Sequence, residues 1–278
     1  MIPSVAPKVS GTTRVAAVLG WPVEHSRSPA MLNAAFAVDD IDAVLVPIAV
    51  PPDNLAAVIA GLRAMNALGA SVTLPHKVAV AALCDELSPE AKAIGAVNCL
   101  QFGESLVGHN TDCDGFLDGL VAAGFELRGK RAILLGAGGA ARAVAWGLRG
   151  GRAIEVIARR PSDVGWAQCW PWTAENLRDC FARADLVVDC TSAGLDPDTD
   201  AAFSDALPLD GLRPGAWVAS LVYNRGTRLL ERASELGHSV VDGRSMLVHQ
   251  GARAFHIWTG ARAPVEVMAR ALDASLAR

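Results

Sequence analysis

Short, continuous apolar runs alternate along the chain with longer stretches whose apolar residues recur every three or four positions. A run of four to eight apolar residues suits a strand buried on both faces of a parallel sheet, and the three-to-four period is that of an amphipathic helix. The first half reads as a strand over 14–20 (RVAAVLG), a helix over 28–38 (SPAMLNAAFAV), a strand over 43–50, a helix over 52–66, a strand over 69–74 and a helix over 76–87 (HKVAVAALCDEL). Ser28 is expected to cap its helix, with Pro29 in the first turn. The segments AVNCLQF and SLVGHN read as two short strands joined by a glycine-containing turn.

A second alternation begins after Asp112. It predicts a helix over 114–125, then a strand, a glycine-rich turn and a helix over 131–148, and a strand over 153–159. A helix capped by Thr173 follows, with strands over 185–194 and 216–224, a helix closed by Gly237 and a last strand, HSVVDG. From Ser245 the pattern is helical twice over (SMLVHQGARAFHIWTG and PVEVMARALDASLA), and this tail is long enough to return to the first domain. Two α/β domains are therefore expected, with residues 14–113 and 247–278 in one, 114–246 in the other, and 1–13 as a loose tail.

Composition narrows the setting. Of 278 residues, 51% are hydrophobic and 19% charged, which excludes disorder, and the net charge is −4. No basic block or basic–aromatic stripe is present, so no nucleic acid partner is expected. The cysteines at 84, 99, 113, 169, 180 and 190 form no C-x-x-C pair and fit no zinc spacing, so no metal is expected and the thiols read as reduced and cytoplasmic. The N-terminus lacks the apolar core of a signal peptide, and apolar stretches break well before the ~18 residues that cross a bilayer, so no membrane association is expected.

The most specific chemistry lies in ILLGAGGAARA. Gly136, Gly138 and Ala141 fit G-x-G-x-x-G/A between a strand and a helix, with Ala137, Gly139 and Ala140 completing the turn. The glycines let the backbone approach a pyrophosphate, and the free amides at the helix start hold the anion. At the end of the next strand, where an acid would hold the ribose 2′-hydroxyl of NAD, stands Ala158, followed by Arg159 and Arg160. Two guanidinium groups suit a 2′-phosphate, so NADP is the expected cofactor. Asp163 is the acid that would argue for NAD, but it lies beyond Pro161. A solvated arginine pair is the other reading of these two residues.

Polar residues of the first domain fall near strand ends. Ser26 and Ser28 flank Arg27 where a helix begins; they suit a carboxylate ligand or plain helix capping. Thr73 and Lys77 lie at the end of the third strand, and a lysine there suits proton donation to a ketone or plain solvent exposure. Asn98 is a lone amide among apolar residues. His109, Asn110, Asp112 and Asp114 crowd one turn, where Asp112 would orient a lysine or cap the following helix.

Together these segments resemble the shikimate dehydrogenase family, from about Arg14 to Leu272. The motifs occur in family order: GWPVEHSRSP, SVTLPHK, AVNCL, NTDCDG, GAGGAARA and DGRSMLVHQ. The resemblance implies an N-terminal α/β substrate domain, a Rossmann-type NADP-binding domain and a C-terminal helix returning to the first domain. It implies reversible NADP-dependent reduction of 3-dehydroshikimate to shikimate, in aromatic amino acid biosynthesis, on a cyclohexene carboxylate substrate. By resemblance, Lys77 and Asp112 are the catalytic pair, Ser26, Ser28, Thr73, Asn98, Tyr223 and Gln250 bind substrate, and Leu221 and Gly243 line the nicotinamide. The resemblance covers monomers and homodimers. Three positions depart from the pattern: Ser71 replaces an asparagine, Leu32 a histidine and Arg225 a proline. Those departures leave open a relative acting on quinate or amino-shikimate, and the fold alone leaves open a non-catalytic NADP-binding regulator.

Overall fold

The computed structural model describes residues 9–160 and 165–277. Residues 1–8 of the expected loose tail, and Asp163, lie outside the described residues. The chain divides into two compact units, one from Met1–Thr111 with Val248–Arg278 and the other from Asp112–Leu247.

The first unit runs β1 (Arg14–Gly20), α1 (Ser28–Val38), β2 (Ala43–Ala49), α2 (Leu55–Ala64), β3 (Gly69–Val72), β4 (Glu86–Leu87), α3 (Pro89–Ile94), β5 (Cys99–Gln101) and β6 (Val107–His109). At the join to the second unit comes α4 (Thr111–Ala122), and the second unit continues with β7 (Arg131–Leu135), α5 (Gly139–Gly147), β8 (Ala153–Ala158), β9 (Gln168–Pro171), α6 (Ala174–Ala182), β10 (Leu186–Asp189), α7 (Pro197–Asp205), β11 (Trp217–Ser220), α8 (Arg228–Glu235) and β12 (Ser239–Val241). Helix α9 (Gly243–Thr259) leads back into the first unit, which α10 (Val265–Leu276) completes.

The first sheet has the order β2-β1-β3-β5-β6-β4. Strands β1, β2 and β3 are parallel, and β5 runs antiparallel to both β3 and β6. Leu19, Val72 and Leu100 from its strands pack with Ile59 and Leu62 of α2. Helix α10 packs on α1, and α9 reaches both: Phe36 and Phe255 stack with centroids 5.6 Å apart, and a Cβ on Gly251 would sit 3.1 Å from the Met268 terminal methyl and 3.8 Å from that of Met31.

The second sheet has the order β12-β11-β10-β7-β8-β9 and is parallel throughout. The chain winds outward twice from the centre, so the strand order reverses between β7 and β10, the point at which open α/β sheets bind ligands. The strands are apolar on both faces because helices cover both. Ala132 and Leu134 of β7 join one core with Val188 and Ala219, while Ile133 and Leu135 join the other with Val187 and Val218. Each of these leucine, isoleucine and valine side chains contributes about 1.5–3 kcal/mol by leaving water. Glu155 of β8 is a buried exception on this sheet, 5% exposed. Burial alone would raise its carboxyl, but bonds from Arg183, Trp170 and Arg131 outweigh that and bring it down to about 2.

Three expectations need correction. Ser28 does not cap α1: Arg27 holds the cap position, no side chain caps the helix, and Ser28 is its first residue. Residues 76–87 are not a helix but a 3-10 turn over Ala79–Leu83 followed by β4. There the Asp85 and Ser88 N–H groups donate to the carbonyls of Leu106 and Gly108, and pairing with β6 wins over the local helical period. The strand expected over 185–194 stops at Asp189, whose Oδ1 accepts the Thr191 N–H at 2.9 Å and hydroxyl at 2.7 Å and turns the chain.

Candidate functional site

In the first unit, the polar residues are placed by two loops that leave the sheet side by side. The Thr73 N–H donates to the Leu19 carbonyl at 2.9 Å, and the Trp21 N–H to the Leu74 carbonyl at 3.0 Å. Gly20 permits this approach, since a Cβ there would meet the Thr73 methyl at 2.5 Å. The first loop leads to Ser26 and Ser28, where the Ser28 N–H donates to the Ser26 hydroxyl at 3.4 Å. No side chain caps α1; Pro29 has no N–H to offer, and the Met31 N–H donates to the Arg27 carbonyl at 3.4 Å. Gln250, in α9, is 9% exposed.

The second loop carries Lys77. His76, 2% exposed, anchors it through a 2.8 Å bond between Nε2 and the Val50 carbonyl at the end of β2. The Lys77 carbonyl accepts the Val97 N–H at 2.8 Å. Next comes Asn98, fixed through its main chain to Val72 and His109. The Asn98 side chain grips Thr111: Oδ1 accepts the Thr111 N–H at 2.7 Å, and Nδ2 donates to its hydroxyl at 3.0 Å. Asp112 follows directly in the first turn of α4. A continuous path of bonds thus runs from the Lys77 backbone through Val97 and Asn98 to the residue before Asp112. Beside it, burial lowers the pKa of His109 more than Glu90 raises it.

In the second unit, Gly136 leaves β7 with φ +97°, a left-handed conformation that favours glycine. A Cβ there would also press on the Thr191 methyl at 3.3 Å and the Cys190 carbonyl at 3.5 Å. Ala137 is half-buried, whereas Gly138, Gly139 and Ala140 are exposed at the start of α5. Gly138 holds the cap position with no side-chain bond, and a Cβ on Gly138 or Gly139 would meet nothing within 4 Å. Ala141 is fully buried, so the helix packs closely on the sheet. Open space over uncapped amides at a strand-order reversal fits a dinucleotide pyrophosphate. Arg159 and Arg160, both exposed, directly follow the end of β8 at Ala158.

Leu221 and Tyr223 follow β11. The Leu221 N–H donates to the Asp189 carbonyl at 3.3 Å. Gly243 lies against the same segment so closely that a Cβ would sit 2.2 Å from the Leu221 oxygen. The residues that sequence reasoning missed are supports: His76, Thr111, Asp189 and Thr191. Thr111 and Thr191 each sit within a short turn sequence, N-T-D and D-C-T, and that turn chemistry is the available signal.

Residues 18–100 match the shikimate dehydrogenase substrate binding domain, and residues 243–272 the shikimate 5′-dehydrogenase C-terminal domain. The shikimate dehydrogenase (NADP(+)) of Moorella thermoacetica is 43% identical over 281 residues, covering 95% of this chain and 94% of its own. A crystal structure of shikimate dehydrogenase in complex with NADP+ superposes with TM-score 0.87 at 32% identity, covering 98% of each chain. Shikimate 5-dehydrogenase from Thermus thermophilus, in complex with NADP(H) and shikimate, gives 0.84 at 36% identity, covering 95% of this chain and all of that one.

Proposed function

This chain belongs to the shikimate dehydrogenase family, and on that premise we propose that it catalyses the reversible NADP-dependent reduction of 3-dehydroshikimate to shikimate. The observation that carries the proposal is the bonded path from Lys77 through Asn98 to Thr111 and Asp112, on a chain that also bears an open dinucleotide turn followed by two arginines. A plain NADP-binding regulator has no need of that first-unit apparatus.

Bound NADPH would supply a hydride to the ring carbonyl carbon. As that bond forms, negative charge grows on the carbonyl oxygen, and the Lys77 ammonium stabilises it and delivers the proton that completes the alcohol. Asp112 orients Lys77 and accepts a hydrogen bond from the neighbouring ring hydroxyl, which selects the carbon that reacts. Ser26 and Ser28 hold the substrate carboxylate at the N-terminal end of α1, where the helix dipole favours negative charge. Thr73, Asn98, Gln250 and Tyr223 take the remaining ring oxygens. Asn98 spends most of its hydrogen bonds on Thr111, so its part is largely to place that segment. The turn Gly136–Ala140 holds the pyrophosphate, Arg159 and Arg160 the 2′-phosphate, and Leu221 and Gly243 line the nicotinamide.

The setting that goes with this reading is cytoplasmic and reducing, with all six cysteines as free thiols. Among the described residues no helix is long and apolar enough to cross a membrane. The deciding experiment measures steady-state rates for shikimate and for quinate, each with NADP and with NAD. The expected result is at least a tenfold higher kcat/KM for shikimate with NADP than for the other three pairs. A preference for quinate would move the substrate within the family, and no turnover of any cyclohexene or cyclohexane carboxylate would leave only nucleotide binding.

A further inference from the structure

The segment joining β11 to α8 carries Leu221 and Tyr223 without regular structure of its own. Its start is held through main-chain bonds: Leu221 donates to Asp189, and the Val222 carbonyl accepts the Gly243 N–H at 3.0 Å. Val222 and Thr227 both pack on Gly194, where a Cβ would come within 3.1 Å of a methyl of each. Between them the tie is a side chain. Arg225 Nη1 donates to the Gly194 carbonyl at 2.8 Å and to Asp200 Oδ2 at 2.9 Å. Asp200 lies in α7 and is 1% exposed. Its Oδ2 also accepts the Arg228 N–H at 2.9 Å, and its Oδ1 the Ser204 hydroxyl at 3.3 Å.

This differs from a surface ion pair in two ways. The carboxylate is buried, where loss of its cation is costly, and one guanidinium nitrogen bridges acceptors on two separate segments. We propose that Arg225 is a positioning residue for the reaction: by joining Gly194 to Asp200 it fixes the loop from Leu221 to Thr227, and with it the places of Leu221 and Tyr223. The proposal rests on the reading of Leu221 and Tyr223 as facing cofactor and substrate. A proline at this place would restrain the chain through its own ring; arginine does so from outside, through its partners.

The test compares Arg225→Lys with the double variant D200N/R225M. Arg225→Met alone strands a buried carboxylate and risks unfolding, whereas the double variant removes both charges and keeps an amide for Arg228 and Ser204. Hydrogen–deuterium exchange over 221–227 and steady-state constants are the readouts. In the double variant, exchange there rises at least tenfold and kcat/KM for 3-dehydroshikimate falls at least tenfold. Arg225→Lys, which retains the charge and enough donors for both acceptors, recovers most of the loss. Exchange within twofold of the parent in the double variant overturns the proposal, as does faster exchange with unchanged kcat and KM. Because exchange needs no substrate, an inactive parent protein would sink the functional reading while the loop-fixing role is judged by exchange alone.

Discussion

Asn98 Oδ1 accepts the Thr111 backbone N–H at 2.7 Å while Asn98 Nδ2 donates to the Thr111 hydroxyl at 3.0 Å. Both residues are buried, at 3% and 4% exposure, so neither bond is readily replaced by water. Asn98→Ala leaves the Thr111 N–H without its acceptor, at a cost of about 1–3 kcal/mol. It also loosens the first turn of α4, which bears Asp112. The expected outcome is a lower Tm and a kcat/KM reduced at least tenfold. Asn98→Asp keeps the acceptor but loses the donor and buries a carboxylate at a 3% exposed place, so it should also melt below the parent. A thermal shift assay with initial-rate kinetics decides, and an Asn98→Ala protein that melts and turns over like the parent would remove the positioning role.

In the proposed reaction, Lys77 meets the charge that grows on the carbonyl oxygen. General acid assistance contributes about 10²–10⁴ in rate. Lys77→Met should therefore reduce kcat at least a hundredfold and leave NADPH binding within twofold. A drop of less than tenfold, about 1.4 kcal/mol of barrier, would show that Lys77 does not deliver the proton.

Arg159 and Arg160 are both exposed, so they can meet a ligand without first breaking a buried contact. Charge-assisted hydrogen bonds are worth about 1.5–3 kcal/mol each. Replacing both with alanine should raise the KM for NADPH by tenfold or more and leave that for NADH nearly unchanged. Equal losses with the two cofactors would mean that the pair does not read the 2′-phosphate.

How much of this was legible depended on distance along the chain. The turn Gly136–Ala141 was readable because strand, turn and helix lie within eighteen residues and each carries its own local signal. Thr173 was readable as a cap for the same reason, and its hydroxyl accepts the Asn176 N–H at 3.2 Å. Residues 76–87 misled because their helical period is overridden by pairing with β6, some twenty residues on. The edge strand β9, QCWP, is too short and proline-broken to announce itself, and it exists through its pairing with β8. Arg225 was visible only as an odd residue in a motif. Its partner Asp200 lies 25 residues away, in a helix that the apolar pattern did not mark.

Asp189 ends the central strand β10 at 2% exposure and offers a test by pH. Burial raises its carboxyl from the usual 3.8 to about 6, against the two Thr191 bonds that lower it and with a further push from nearby Asp200. In the unfolded chain the group ionises near 3.8, so between pH 3.8 and 6 the folded protein holds a proton that the unfolded chain has released. Stability from this group therefore falls as pH rises through that window, and the full penalty is present above about pH 6. Asp189→Asn keeps an oxygen for the Thr191 N–H and hydroxyl and carries no charge. At pH 8 it should melt higher than the parent, by about 2–4 °C for each kcal/mol recovered, and the gap should close toward pH 4. Melting curves of both proteins at pH 4, 6 and 8 make the comparison. If Asp189→Asn gains nothing at pH 8, the buried carboxyl is already relieved by a partner, and the turn that packs Thr191 on Gly136 does not depend on its protonation.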